Sequence, residues 1–64
     1  MNTTKLNKAI DESGFTRSEI AKELGISEST FVRKMRTQSF GIVEAEVMIE
    51  LLSIEDPYEV FFGK

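Results

Sequence analysis

The chain contains neither cysteine nor histidine in its 64 residues. Without cysteine, a disulfide framework and a thiolate metal site are excluded, and the composition fits a reducing cytoplasm. Without histidine, the commonest general base and the commonest metal ligand are missing. Hydrolysis by a serine–histidine pair or by a histidine-held zinc is therefore not open to this chain. Paired carboxylates remain, but so short a chain has little room for a substrate cleft. No enzyme, metal or cofactor is expected. No apolar run approaches the ~18 residues of a membrane span, and Met1–Ile10 has no apolar stretch of signal-peptide type. The expectation is a soluble, cytoplasmic protein with no membrane partner.

Length allows one domain, residues 1–64. Such a chain buries a small core and is marginal alone, so a partner subunit could supply part of the burial. Net charge is −3, which at first argues against nucleic acid. The distribution changes that reading. Met1–Val43 carries seven basic and five acidic residues, a net of +2. Glu44–Glu59 carries six acidic residues and no basic one, and Lys64 adds the last positive charge. One part of the chain could face phosphate while the acidic part faces away. The acidic part is read first as solvated surface, and otherwise as a face that repels DNA or meets a basic partner.

No linker, internal repeat or strand-like alternation interrupts a series of short helical segments. Leu6, Ala9 and Ile10 fall at i, i+3, i+4, so Thr4–Glu12 reads as a helix capped by Thr3 or Thr4 and ended at Ser13-Gly14. Thr16-Arg17-Ser18-Glu19 has capping-box spacing, and Ile20, Ala21 and Leu24 form the apolar face of a second helix that Gly25 terminates. Ser27 caps a third helix with Phe31 and Met35 inward, and Ile26 packs just before it. Arg36–Gly41 reads as a loop anchored by Phe40. Ala45, Met48, Ile49 and Leu52 form the stripe of a fourth helix. Val47 and Leu51 widen that stripe, so this helix is expected to be the most buried. Asp56-Pro57-Tyr58-Glu59 combines an N-cap, a proline at the first helical position and a glutamate at the third. It opens a fifth helix carrying Val60, Phe61 and Phe62. The fold class is all-α, five compact helices.

Arg17–Arg36 has the parts of a helix-turn-helix, which needs two helices joined by a very short turn. Ala21 is small enough for close approach, Gly25 permits positive φ, and Ile20, Leu24, Ile26 and Phe31 supply the adhesive surface. The stretch TRSEIAKELGISESTFVRKM resembles the helix-turn-helix of the Cro/CI-type (XRE) family. EAEVMIELLSIEDPYEVFF resembles the last two helices of small Cro-like regulators of phages from Gram-positive bacteria. The resemblance implies a lambda-repressor-like domain with helices 2 and 3 as the helix-turn-helix. It further implies a bacterial regulator that binds double-stranded operator half-sites as a homodimer, with helix 3 in the major groove.

Carried over by position, Glu28, Ser29 and Arg33 would read bases. Arg17, Thr30, Lys34, Arg36 and Gln38 would meet phosphate. Arg17 replaces the family's usual glutamine and can still donate to phosphate. Glu28 sits where a neutral polar residue is common. Lys34 sits where many members bury an aliphatic side chain, with Met35 taking over, and this leaves open whether Val32 or Arg33 points at the bases.

Most of these residues also have a plain structural reading. Glu28 suits the first turn of a helix through the macrodipole, or accepts from a cytosine amino group. Arg33 pairs with Glu28 across the helix or is simply solvated, or else forks onto guanine. Arg17, Lys34 and Arg36 are a solvated basic face or a phosphate clamp. Adjacent residues on a helix point ~100° apart, so one of Phe61 and Phe62 closes the core and the other is free. Val60, Phe61 and Phe62 together are the candidate dimer contact. The alternative function is an antirepressor or modulator that binds a partner phage repressor protein rather than DNA.

Overall fold

Five α-helices follow one another in a computed structural model that describes residues 1–62: α1 (Thr3–Ser13), α2 (Arg17–Leu24), α3 (Glu28–Thr37), α4 (Ile42–Leu51) and α5 (Pro57–Phe61). Lys64, counted above in the charge, lies outside the described residues. The described chain has no strand. Its radius of gyration is 10.4 Å, against roughly 11 Å for a folded chain of this length. The structure is thus all-α, with the five helices expected.

Local chemistry accounts for the helix boundaries. The α1 cap is Asn2, whose Oδ1 accepts the Lys5 N–H at 3.0 Å. Thr3 and Thr4, expected to cap, are already inside the first turn, and α1 runs one residue further at each end than periodicity suggested. Gly14, at φ 81°, ends it. The capping box at α2 is complete, with the Thr16 hydroxyl accepting from Glu19 N at 3.1 Å and the Glu19 carboxylate accepting from Thr16 N at 2.8 Å. That backbone N–H holds the Glu19 carboxyl below its ordinary pKa. Ser27 caps α3 through the Thr30 N–H at 3.2 Å, and Asp56 caps α5 through the Glu59 N–H at 3.2 Å. Pro57 occupies the first turn of α5, where its missing N–H costs nothing.

One core gathers side chains from every helix. Leu6 and Ile10 come from α1, Ile20 and Ala21 from α2, Phe31 and Met35 from α3, Met48 and Leu52 from α4 and its cap, and Val60 from α5. Phe31 is fully buried and its ring lies 5.5 Å from that of Phe40, which anchors the α3–α4 connection as expected. α5 is tied back to the start of the chain. Asn2 N donates to Val60 O at 2.7 Å, and Lys5 pairs with Glu59 at 2.9 Å.

The expectation that α4 is the most buried helix is corrected. Only Met48 within it is fully buried, while Ile42 and Val43 are 76% and 72% exposed. α4 is apolar on more than one side, but a domain of five short helices has elements to cover only one of those sides.

The turn between α2 and α3 is a Schellman motif. The Gly25 N–H donates to Lys22 O and the Ile26 N–H to Ala21 O, each at 3.0 Å, with Gly25 at φ 74°. A methyl group added at Gly25 would meet no atom within 4 Å, so the residue type there is set by backbone conformation and not by space. Left-handed backbone costs an L-residue about 1–2 kcal/mol, and the lower entropy of the unfolded chain returns about 0.4–1 kcal/mol of that. Gly25→Ala is therefore expected to lower stability by about 1 kcal/mol in urea denaturation, with the slope on denaturant unchanged.

Candidate nucleic-acid interface

The rotation of α3 follows from its two inward residues. Phe31 and Met35, one turn apart, are 0% and 8% exposed. At ~100° per residue, Ser29, Arg33 and Arg36 then point away from the core, and Glu28 and Val32 lie on one flank. These five side chains line one shallow concavity. Val32 is 46% exposed. Val32 and Arg33 both line the concavity.

A second concavity adjoins the first and shares Val32 and Arg36 with it. Its other walls are Thr3 and Asn7 of α1, Arg17 of α2 and Met35. The Arg17 guanidinium donates to Asn7 Oδ1 at 2.9 Å. Arg17 is thereby held at the edge of the α3 surface, where the N-terminus of α2 begins. Asn7 received no role from the sequence. Its link to Arg17 crosses ten positions and two helices, and no local pattern signals such a contact.

Three cations therefore border one face, Arg17, Arg33 and Arg36. Arg33 does not pair with Glu28, and among the described residues neither Arg33 nor Arg36 takes part in an ion pair. At the start of α3, Ser27 Oγ donates to Thr30 Oγ1 at 2.8 Å and lies 3.3 Å from Ser29 Oγ. The Thr30 oxygen is thus partly used inside the cap, while its own hydrogen is free to donate.

Of the residues expected at phosphate, Thr30, Lys34 and Gln38 line neither concavity. Lys34 is engaged in an ion pair. Its ammonium donates to both Glu44 oxygens, at 2.8 and 3.0 Å, and the two side chains are only 23% and 18% exposed. The lysine stem occupies the partly buried flank of α3 that faces α4, and the charge emerges onto Glu44. That explains how a lysine fits where the resembled family buries an aliphatic residue. Gln38 ends α3 in left-handed backbone, φ 56°, and lines a groove with Met1, Phe40, Ile42, Ala45, Phe61 and Phe62. It is not grouped with the arginines.

The three residues expected at a dimer contact differ in exposure. Val60 is 5% exposed and belongs to the core, and Phe61 packs against that core. Phe62 is 69% exposed, and its ring lies 5.8 Å from that of Tyr58, itself 72% exposed. The free apolar surface at this end is thus Tyr58, Phe62 and the neighbouring Ile42. The Tyr58–Phe62 pair could have been found in the sequence, since i and i+4 aromatics meet on a helix. Ile42 could not, because its proximity to Phe62 is tertiary.

Glu44 joins α3 to α4. Besides Lys34 it accepts the Gly41 N–H at 2.9 Å, closing the first turn of α4. The Lys34 ammonium and then the Gly41 N–H hold its carboxyl below the ordinary value of 4.5. A carboxyl lowered on folding stabilises the fold above its unfolded pKa, and the contribution is lost as pH falls through the folded one. Glu44→Gln is therefore expected to be less stable than the parent at pH 7. The gap should close progressively below pH 4.5, as read by thermal unfolding across an acid series.

Known proteins place this geometry. The family model described as "Bacterial regulatory protein, Fis family" matches residues 5–37, which run from the first turn of α1 through α2 to the last residue of α3. No curated protein and no solved structure matches the chain. The match reports Fis-family rather than Cro/CI-type regulators, and what both have in common is a helix-turn-helix that binds DNA. Among the described residues no helix is long and apolar enough to cross a membrane. With just over half of its length matched, the chain belongs to the Fis family of bacterial regulatory proteins, and α2 and α3 are its DNA-binding helix-turn-helix.

Proposed function

We propose that the protein is a sequence-specific transcriptional regulator of the Cro-like repressor type, with α3 in the major groove of double-stranded operator DNA. The observation that carries this reading is the outward face of α3, where, among the described residues, Arg33 and Arg36 have no ion-pair partners and Arg17 is pinned alongside. Arginine on such a helix forks onto guanine O6 and N7 or onto phosphate. The acidic residues of α4 and α5 do not enter this face. Repression would follow from occupying DNA that polymerase or a competing repressor needs.

Binding as a homodimer agrees with the dimensions. Recognition helices on neighbouring half-sites lie ~34 Å apart, so each α3 would sit ~17 Å from the twofold axis. The domain measures 26 × 23 × 19 Å, enough to span that distance if Ile42, Tyr58 and Phe62 meet their counterparts at the axis. The alternative, binding of a partner phage repressor protein, draws on the acidic α4–α5 surface but leaves the arginine face without a role.

Three outcomes test the DNA reading by fluorescence anisotropy on duplexes selected from a random pool. Arg33→Ala should weaken binding by about 1–3 kcal/mol and relax preference at one base pair. Arg36→Ala should weaken all sequences alike and reduce the salt slope by about one. Lys34→Ala should leave the salt slope unchanged, since its charge is already spent on Glu44. If the parent binds no duplex but alters DNA binding by a repressor, the partner reading takes its place. The dimer reading is tested by sedimentation equilibrium, where Phe62→Glu should shift a concentration-dependent dimer to monomer. A parent that stays monomeric at high concentration would refute it.

A further inference from the structure

We propose that Val32 is a specificity-determining residue that recognises the C5-methyl group of a thymine in the major groove. The inference rests on the DNA reading above and deepens it. Val32 is 46% exposed although the core is closed beneath it by Phe31 and Met35, at 0% and 8%. Folding thus leaves close to half of this apolar residue in solvent. A β-branched residue is also a poor choice for an exposed mid-helix position, since it restricts χ1 and lowers helix propensity. Local choices that work against the fold mark places where another requirement decides.

The surroundings indicate what that requirement is. Val32 lies between the two adjoining concavities, with Glu28, Ser29 and Arg33 on one side, Thr3, Asn7, Arg17 and Met35 on the other, and Arg36 shared by both. With Met35 only 8% exposed, Val32 is the well-exposed apolar side chain of a polar face that carries three arginines and one glutamate. A duplex brought there by three arginines presents one apolar group on its major-groove edges, the thymine methyl. The branched side chain offers two methyl groups on a single stiff torsion, so little freedom is lost on contact. Arg33 would read guanine beside it, and the two together would distinguish adjacent G·C and T·A pairs.

Replacing thymine with deoxyuracil removes that methyl and nothing else. Duplexes are first selected by the parent protein from a random 20-base-pair pool, and each thymine in turn is then changed to deoxyuracil. The parent should lose about four-fold in affinity at one position, the fold-change equivalent to about 0.8 kcal/mol for one buried methyl. Val32→Ala should bind the thymine and deoxyuracil duplexes equally. Alanine is the stronger helix former, and a circular dichroism melt at least as high as the parent's would show that the variant folds. A parent indifferent to every replacement, or a Val32→Ala variant that keeps the same four-fold preference, overturns the inference and leaves the arginine reading standing. If the parent selects no duplex at all, the DNA reading fails and this inference with it.

Discussion

The burial of Phe31 and Met35 decides the rest of the molecule. With those two side chains facing the core, α3 has one possible rotation, and its remaining residues are assigned by the helical repeat. Ser29, Arg33 and Arg36 are turned outward, Val32 is left on the α1–α2 flank, and Lys34 is turned toward α4. A slip of 100° would bury a charge and expose Phe31. Removing a buried aromatic ring from a core typically costs about 3–5 kcal/mol, a large share of the stability of so small a domain. The surface chemistry of α3 is thus enforced by its hydrophobic side.

The same rotation sorts the charges. Lys34 and Glu44 meet in a partly buried pair that the Gly41 N–H completes. Removing either partner would strand the other charge, so the pair constrains how α3 and α4 sit against each other. It also withdraws one cation from the surface. Arg33 and Arg36 keep their charges available, and Arg17 is held by Asn7 through a neutral oxygen that leaves its charge intact. An acidic chain of net charge −3 can therefore present a cationic face. The total is acidic because of α4 and α5, and those helices lie elsewhere on the domain.

Two surfaces with different chemistry result. One is polar, with three arginines, Glu28 and an exposed valine. The other is apolar, formed by Ile42, Tyr58 and Phe62 beside a groove lined by Met1, Phe40 and Phe61. The apolar one exists because α4 and α5 have more apolar residues than five short helices can cover. It is the natural consequence of a small domain whose last helices are apolar on more than one face.

Much of this was legible in the residue order. Helix ends were readable because capping is local. Thr16 with Glu19, Ser27, Asp56-Pro57, Gly14 and Gly25 act on backbone groups within a few positions of themselves. The inward residues were readable from the 3.6-residue repeat, since Leu6, Ile10, Ile20, Phe31, Met35, Met48 and Leu52 recur at helical spacing. The helix-turn-helix followed from both. What the order of residues could not determine was every choice between two helices. Asn2 takes the α1 cap where Thr3 and Thr4 were equally plausible. α4 lies at an edge despite its apolar composition. Arg17 finds Asn7, Lys34 finds Glu44, Val60 goes into the core, and Ile42 comes beside Phe62. Each depends on where a second element lies in space. Local hydrogen bonds and helical periodicity carry information over about four residues, whereas these contacts are made only when the shared core closes.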